Sequence, residues 1–364
     1  LDALNGGVDI TTVNGLYYYG QNGDIISNDD GKRAIVSGGT YNYYSRKDAA
    51  IPLDLNGLPR PAWHLINMEA YWTSAVRIGG GDMMREKFAV MMSTRGCPHT
   101  CYFCTSPLLS GYKAYRRRDN DNVVDEIRWL YDDYGIREVQ FLDDNFFVSV
   151  PRVKALCKRL AEEFPDMVFG VPAGAEVNAL DDELIELLAK ANFHKIVLAI
   201  EAADQEIQNE KIDKCVQIHR VPEVIRKIRD NGMTVLGLLM IGFPGETAEQ
   251  IKKTIDLALS LDFDDFFLSI VTPLPGTPLY DECLEKGLIE DTFDPNNLRY
   301  SYSNIKLPDV TKEAIESARR EAWLKMKQRG ERHTGTMRVG ACKEFNSLAE
   351  YENAGLSKSL LEII

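Results

Sequence analysis

Between residues 85 and 280 the chain alternates short runs of β-branched and aromatic residues with longer stretches whose apolar positions recur every three to four residues. The short runs predict six strands: "KFAVMMS" over 87–93, "REVQFL" ending at Leu142, "MVFGVP" at Pro172, "KIVLAI" at Ile200, "TVLGLLMIG" at Gly242 and "DFFLSIV" at Val271. The longer stretches predict amphipathic helices over residues 121–134, 150–164, 181–191 and 222–232. Strand followed by helix, repeated, makes βα units and a parallel sheet, so the expected class is α/β. Six repeats suit a partial, TIM-like (β/α)6 barrel better than a flat doubly wound sheet. In both architectures chemistry collects where the carboxyl ends of the strands meet the following loops.

The flanks differ from this core, which is assigned to residues 86–285. Residues 13–39 are rich in Gly, Asn and Tyr and predict hairpin or edge structure. The proline-rich joint "NGLPRPAWHL" lies in a linker over 56–85, where Trp63 and Trp72 are expected to be packing anchors. A C-terminal extension over 286–364 begins turn-rich and leads into a charged helix over 311–328. The chain opens at Leu1 within an ongoing pattern, which raises the expectation of a fragment of a longer protein.

Composition narrows the chemistry. With 364 residues and 45% hydrophobic content the chain can bury a sizeable core. Its seven cysteines are an odd number spread thinly, which argues against a secreted disulfide scaffold and for the cytoplasm. The longest apolar run, residues 235–243, is about half of what a membrane span needs. A net charge of -13 opposes nucleic acid at long range, leaving Arg116, Arg117 and Arg118 as a local basic patch. A small-molecule partner is expected.

Three cysteines, Cys97, Cys101 and Cys104, fall within "GCPHTCYFC" just after the first strand. With His99 as a fourth ligand they would make a zinc site. Three thiolates around a four-iron four-sulfur cluster would instead leave one iron open to a chelating small molecule. Spacing leaves both open. The other thiols, Cys157, Cys215, Cys283 and Cys342, and the histidines His64, His194, His219 and His333 form no metal-spaced set.

Context adds a resemblance. CxxxCxxC after a first strand, with Phe103 before the last cysteine, resembles the radical S-adenosylmethionine (SAM) superfamily. "FLDDNFF", "LAIEAADQEI", "MIGFPGET" and "TPLPGTPLY" occur downstream in the order expected for its subgroup that carries an N-terminal cobalamin-binding domain. The resemblance implies that Cys97, Cys101 and Cys104 hold the cluster. It implies too that Phe103 lies beside the cluster or adenine, and that Asp143, Asp144 and Glu201 accept hydrogen bonds from SAM. Lys214 would meet its carboxylate, and Gly242 would let backbone approach it. Residues 1–55 then read as the end of a cobalamin-binding-type domain.

Local chemistry supplies rival roles: Asp143, Asp144 and Glu201 can cap, Phe103 can pack, and Lys214 can be a solvated helix-end charge. Thr247 and Gln250 have the spacing of a capping box. One departure stands out, because Glu176 occupies the place of an arginine in many relatives. The expected function is reductive cleavage of SAM to a 5′-deoxyadenosyl radical, serving cobalamin-dependent methylation of an unactivated carbon of a small molecule. An electron donor such as flavodoxin or ferredoxin is implied. The alternatives are a cobalamin-independent radical SAM enzyme, including a cyclase or tRNA methylthiotransferase, and a noncatalytic zinc- or cluster-binding module.

Overall fold

A computed structural model of the chain describes residues 54–73, 83–110, 115–212, 214, 216–294 and 298–328, with short strands at Tyr17–Tyr19, Ile25–Asp29, Lys32–Val36, Met337–Val339 and Lys343–Phe345. The first three of these strands pair as an antiparallel meander, in keeping with the hairpin pattern of residues 13–39. The rest of residues 1–53, including most of the segment read as the end of a cobalamin-binding-type domain, lies outside the described residues, as do Cys215 and Cys342.

All six core strands form where the hydrophobic pattern puts them: β1 (Phe88–Met91), β2 (Glu138–Phe141), β3 (Val168–Ala175), β4 (Phe193–Glu201), β5 (Thr234–Ile241) and β6 (Asp265–Ile270). They make one parallel sheet in chain order, β1 to β6, each strand bonded to the next. A parallel neighbour requires a crossover, and helices supply it. These are α1 (Asn120–Tyr134), α2 (Val150–Glu163), α3 (Asp182–Lys190), α4 (Gln205–Lys211), α5 (Val221–Asp230) and α6 (Ala248–Ser260). The strands are apolar without alternation, as in a parallel sheet buried on both sides: the consecutive residues Ile196, Val197, Leu198, Ala199 and Ile200 of β4 are all buried. β3 runs three residues beyond Pro172, to Ala175, through Gly174 at φ 100°.

The sheet is open, as a (β/α)6 array is, and its last edge is covered by the C-terminal part of the chain. After α7 (Pro278–Glu285) the chain returns so that Ile270 N–H donates to the Tyr300 carbonyl at 2.7 Å. Helix α8 (Lys312–Gln328) lies against β6, and Arg319 Nε donates to the Leu268 carbonyl at 2.7 Å. These bonds satisfy edge groups that would otherwise be a template for another strand. On the opposite edge Trp72 Nε1 donates to the Phe88 carbonyl at 2.8 Å, and Trp63 is buried in the core, so both act as packing anchors. Asn56 and Asp119 exchange hydrogen bonds of 2.8 and 2.9 Å, fixing the proline-rich joint to the start of α1.

The sheet's interior is filled between β2 and β4 by aromatic rings. Phe141, Phe146, Phe169 and Phe193 are each at most 1% exposed, with centroids 4.9 Å apart for Phe141–Phe146 and 5.7 Å for Phe169–Phe193. Truncating one ring leaves a cavity that its equally large neighbours cannot close. Phe193→Ala is expected to lower unfolding free energy by about 3–5 kcal/mol in urea titrations. A loss below about 1 kcal/mol would show that the rings do not hold the sheet together.

Candidate active site

The three cysteines sit in the loop that leaves β1, and two carboxylates just past the next strand, one buried and one half-buried, hold that loop at both ends. Asp143, fully buried past the end of β2, accepts from Ser93 N–H at 3.1 Å, Ser93 Oγ at 2.7 Å and Thr94 Oγ1 at 2.5 Å. Burial pushes its carboxyl pKa up, and these donors pull against that shift. Asp144 accepts from Gly96 N–H and from Ser106 Oγ, both at 2.8 Å, and so ties the residue before Cys97 to one just after Cys104. Gly96 takes φ 86°, which lets the backbone turn into the loop. Both aspartates therefore bear on the site through the loop they position.

Within the loop Cys101 is buried, while Cys97 and Cys104 are half-buried. Burial raises the Cys97 thiol pKa against bonds donated by the His99 backbone N–H and by Asn145 Nδ2, the latter at 3.7 Å. Ser106 N–H points at Cys104 Sγ at 3.4 Å. His99 Nε2, the fourth ligand that a zinc site would recruit, is instead engaged by Glu176 Oε1 at 2.7 Å. Among the described residues no three Cys, His, Asp or Glu side chains converge on one metal-ion position. N–H donors at Cys97 and Cys104 favour thiolates there, as a cluster held at three corners would need.

Across the mouth, β4 ends in a bulge. Leu238 pairs with Ala199 but Leu239 with Glu201, so the register slips by one and Glu201 is forced to φ 68°. Gln208 on α4, fully buried, donates to the freed carbonyls of Ile200 at 2.7 Å and Ala202 at 2.6 Å. A non-glycine residue in this region costs about 1–3 kcal/mol, a strain that clusters at functional sites. Glu201 Oε1 lies 2.7 Å from Lys214 Nζ, with side chains 8% and 17% exposed. Burial opposes the Lys214 charge, but the Glu201 carboxylate outweighs it, and Cys101 and Glu176 also act on this ammonium; its pKa is raised. The fold thus brings Cys101, Glu176, Glu201 and Lys214 into one electrostatic neighbourhood.

The turn after β5 forms the remaining wall. Gly242, at φ 92°, has no room for a side chain: a Cβ would meet Ile315 Cδ1 at 2.9 Å. Its N–H and that of Phe243 donate to Glu246 Oε2 at 2.5 and 2.9 Å. Thr247 and Gln250 form the anticipated capping box at the start of α6. Phe103 packs edge-on against Phe243 with centroids 5.9 Å apart, linking the cysteine loop to this turn. Glu246 has no role legible in its local pattern, although the whole turn depends on it. Asn145 and Glu176 also gain partners that no local pattern announced. Of the basic patch, Arg118 is absorbed by Glu126 at 2.6 Å, Arg116 is half-buried and Arg117 is exposed.

Comparison with known proteins bears on the same region. The Radical SAM superfamily model matches residues 91–258, the span from β1 through most of α6. Residues 91–258 are a radical SAM domain. A domain of this superfamily works with a four-iron four-sulfur cluster and SAM. An uncharacterized methyltransferase of Pyrococcus horikoshii is 28% identical over 89% of this chain and 63% of its own length. The cytidylyl-2-hydroxyethylphosphonate methyltransferase of Streptomyces wedmorensis is 29% identical over 71% of this chain and 48% of its own. The chain thus spans between about half and under two thirds of these relatives. Among solved structures, the radical SAM methyltransferase TsrM from Kitasatospora setae, with cobalamin and a [4Fe-4S] cluster bound, superimposes with a TM-score of 0.58 at 21% identity, covering 78% of this chain and 51% of that one. That likeness shows a shared fold.

Glu246 generates a test. Burial pushes its carboxyl pKa from 4.5 up to about 7, and its buried Oε1 has no hydrogen-bond partner among the described residues. A carboxyl whose pKa is higher folded than unfolded makes the native state bind more protons between the two values, so its contribution falls as pH rises from 4.5 to about 7 and is flat above. Glu246→Gln keeps an oxygen for the Gly242 and Phe243 amides and cannot ionise. Relative to the parent it is expected to gain stability from pH 5 to pH 8, by about 3 kcal/mol at most, in urea unfolding at both pH values. An equal difference at the two pH values would contradict the assignment.

Proposed function

We propose that this chain is the catalytic core of a radical SAM enzyme, and that it serves cobalamin-dependent methylation of an unactivated carbon of a small molecule. One observation carries the reading: three thiols in a loop pinned at both ends, set across the barrel mouth from a buried Glu201–Lys214 pair on a strained bulge. Held by Cys97, Cys101 and Cys104, the cluster would supply the electron that splits SAM into methionine and a 5′-deoxyadenosyl radical.

The chain's own residues would do the positioning. Lys214 has three donors, so its bond to Glu201 leaves N–H groups for the SAM carboxylate, while Glu201 can accept from the amino group. Phe103 and Phe243 would form an apolar wall that excludes water, while Gly242, whose open side is filled by Ile315, would shape the turn behind it. Methylation and cobalamin are supported by relatives named as methyltransferases and by the cobalamin-bound TsrM structure of the same fold. TsrM has also been solved with tryptophan and a SAM analogue, which supports a small-molecule substrate. Residues 1–55 would be the end of the cobalamin-binding part. A one-electron donor of the flavodoxin or ferredoxin kind would reduce the cluster, in the reducing cytoplasm. No helix among the described residues is long and apolar enough to cross a membrane.

Anaerobic reconstitution tests this. The chain is expected to take up iron and sulfide and, with reductant, to form 5′-deoxyadenosine from SAM; Cys101→Ala should abolish both. Zinc in place of iron, or an iron-loaded chain that leaves SAM intact, would refute the reading. Methyl transfer on adding methylcobalamin to the full-length protein separates methylation from other radical reactions. In the loaded chain Lys214→Ala is expected to weaken SAM binding about tenfold, the loss of one charge-assisted hydrogen bond, measured by equilibrium dialysis. Unchanged affinity would remove Lys214 from the site.

A further inference from the structure

Glu176 lies beside the cysteine loop and organises two donors. Its Oε1 accepts from His99 Nε2 at 2.7 Å and from Asn145 Nδ2 at 2.5 Å. Asn145 is 5% exposed, and its orientation is fixed by chemistry on both sides. Its Oδ1 accepts from Phe147 N–H at 3.1 Å, and a carboxylate oxygen can only accept, so the amide nitrogen must face Glu176. Of the two Nδ2 hydrogens, one serves Glu176 and the other points at Cys97 Sγ, 3.7 Å away. The His99 backbone N–H reaches the same sulfur, so both donors at Cys97 belong to residues that Glu176 holds.

We infer that Asn145, pinned by Glu176, is a positioning residue that sets the reduction potential of the cluster through its hydrogen bond to the Cys97 sulfur. The inference rests on the reading of the loop as the cluster's holder. A neutral thiol is a poor acceptor, and a buried amide aimed at one gains little. A thiolate bound to iron carries negative charge and gains more when one further electron spreads onto the sulfurs. An N–H donor therefore favours the reduced form and raises the potential of this one-electron couple. The Glu176 carboxylate acts in the opposite sense. It is ionised, its pKa held below the usual value because the bonds from His99 and Asn145 overcome the effect of burial, and its negative charge is felt at Cys97. One residue thus supplies the scaffold for the donor and a counterweight to it, as hydrogen bonds and charges around a metal centre do generally.

The two contributions have opposite signs, which a role in loop packing alone would not give. The test is EPR-monitored redox titration of the anaerobically reconstituted full chain, with iron content measured alongside. Asn145→Ala is expected to lower the potential, disfavouring reduction about tenfold, equivalent to about 59 mV for one electron. Glu176→Gln keeps an acceptor for His99 and Asn145 but removes the charge, and is expected to raise the potential at unchanged iron content. Should Asn145→Ala fail to load iron, Asn145→Ser replaces it, since it keeps an oxygen near Phe147 N–H without the reach to Cys97. Potentials that stay at the parent's value, or that move the same way in both variants, would overturn the inference. A parent chain that assembles no four-iron cluster would sink the cluster reading itself, a separate result visible in iron content before any potential is measured.

Discussion

The cysteine loop and the turns after β4 and β5 are held by carboxylates buried or half-buried in the mouth of this sheet, and a carboxylate shielded from water must be hydrogen-bonded or paired to be tolerated there. They come from successive strands: Asp143 and Asp144 after β2, Glu176 after β3, Glu201 at the end of β4 and Glu246 after β5. Asp143 and Asp144 accept from the two ends of the cysteine loop, Glu176 from donors beside Cys97, Glu201 from Lys214 and Glu246 from the turn amides. An unmet carboxylate here would cost several kcal/mol, so the loops are held where these oxygens are. The rigid part of the site is thus electrostatic, built on a sheet whose apolar interior supplies the low dielectric.

That arrangement divides the labour within the site. Carboxylates facing the protein's own backbone, Asp143, Asp144 and Glu246, serve geometry. Glu201 is different, because its partner is a flexible ammonium and its own backbone is strained at φ 68°. A side chain with spare acceptor capacity opposite a lysine with spare donors suits a zwitterionic ligand, whose two charged ends need opposite partners. Gly242 and the Phe103–Phe243 contact then define a wall without charge.

The open sheet bears on the same design. A six-stranded parallel array leaves two edges, and here both are met by polar contacts from outside the βα repeats: Trp72 on β1, the Tyr300 carbonyl and Arg319 on β6. Ile315 of α8 also reaches the Gly242 turn, so the same C-terminal helix meets the edge through Arg319 and one wall of the mouth through Ile315.

Much of this was legible in the order of residues. The strand and helix repeats come from hydrophobic period, since a buried parallel strand and an amphipathic helix each impose one on their own residues. The capping box at Thr247 and Gln250 and the spacing of Cys97, Cys101 and Cys104 are equally local. What each carboxylate does was not legible, because partners such as His99 and Glu176 stand 77 positions apart and meet only once strand register is set. Asp143 and Asp144 read in sequence as acceptors for a ligand, and folding gives them Ser93, Thr94, Gly96 and Ser106 as partners. The bulge that strains Glu201 is a one-residue slip between β4 and β5, a property of two strands together. Period and spacing are carried by neighbours along the chain and so survive in one dimension; hydrogen-bond partnership between distant side chains exists only in three.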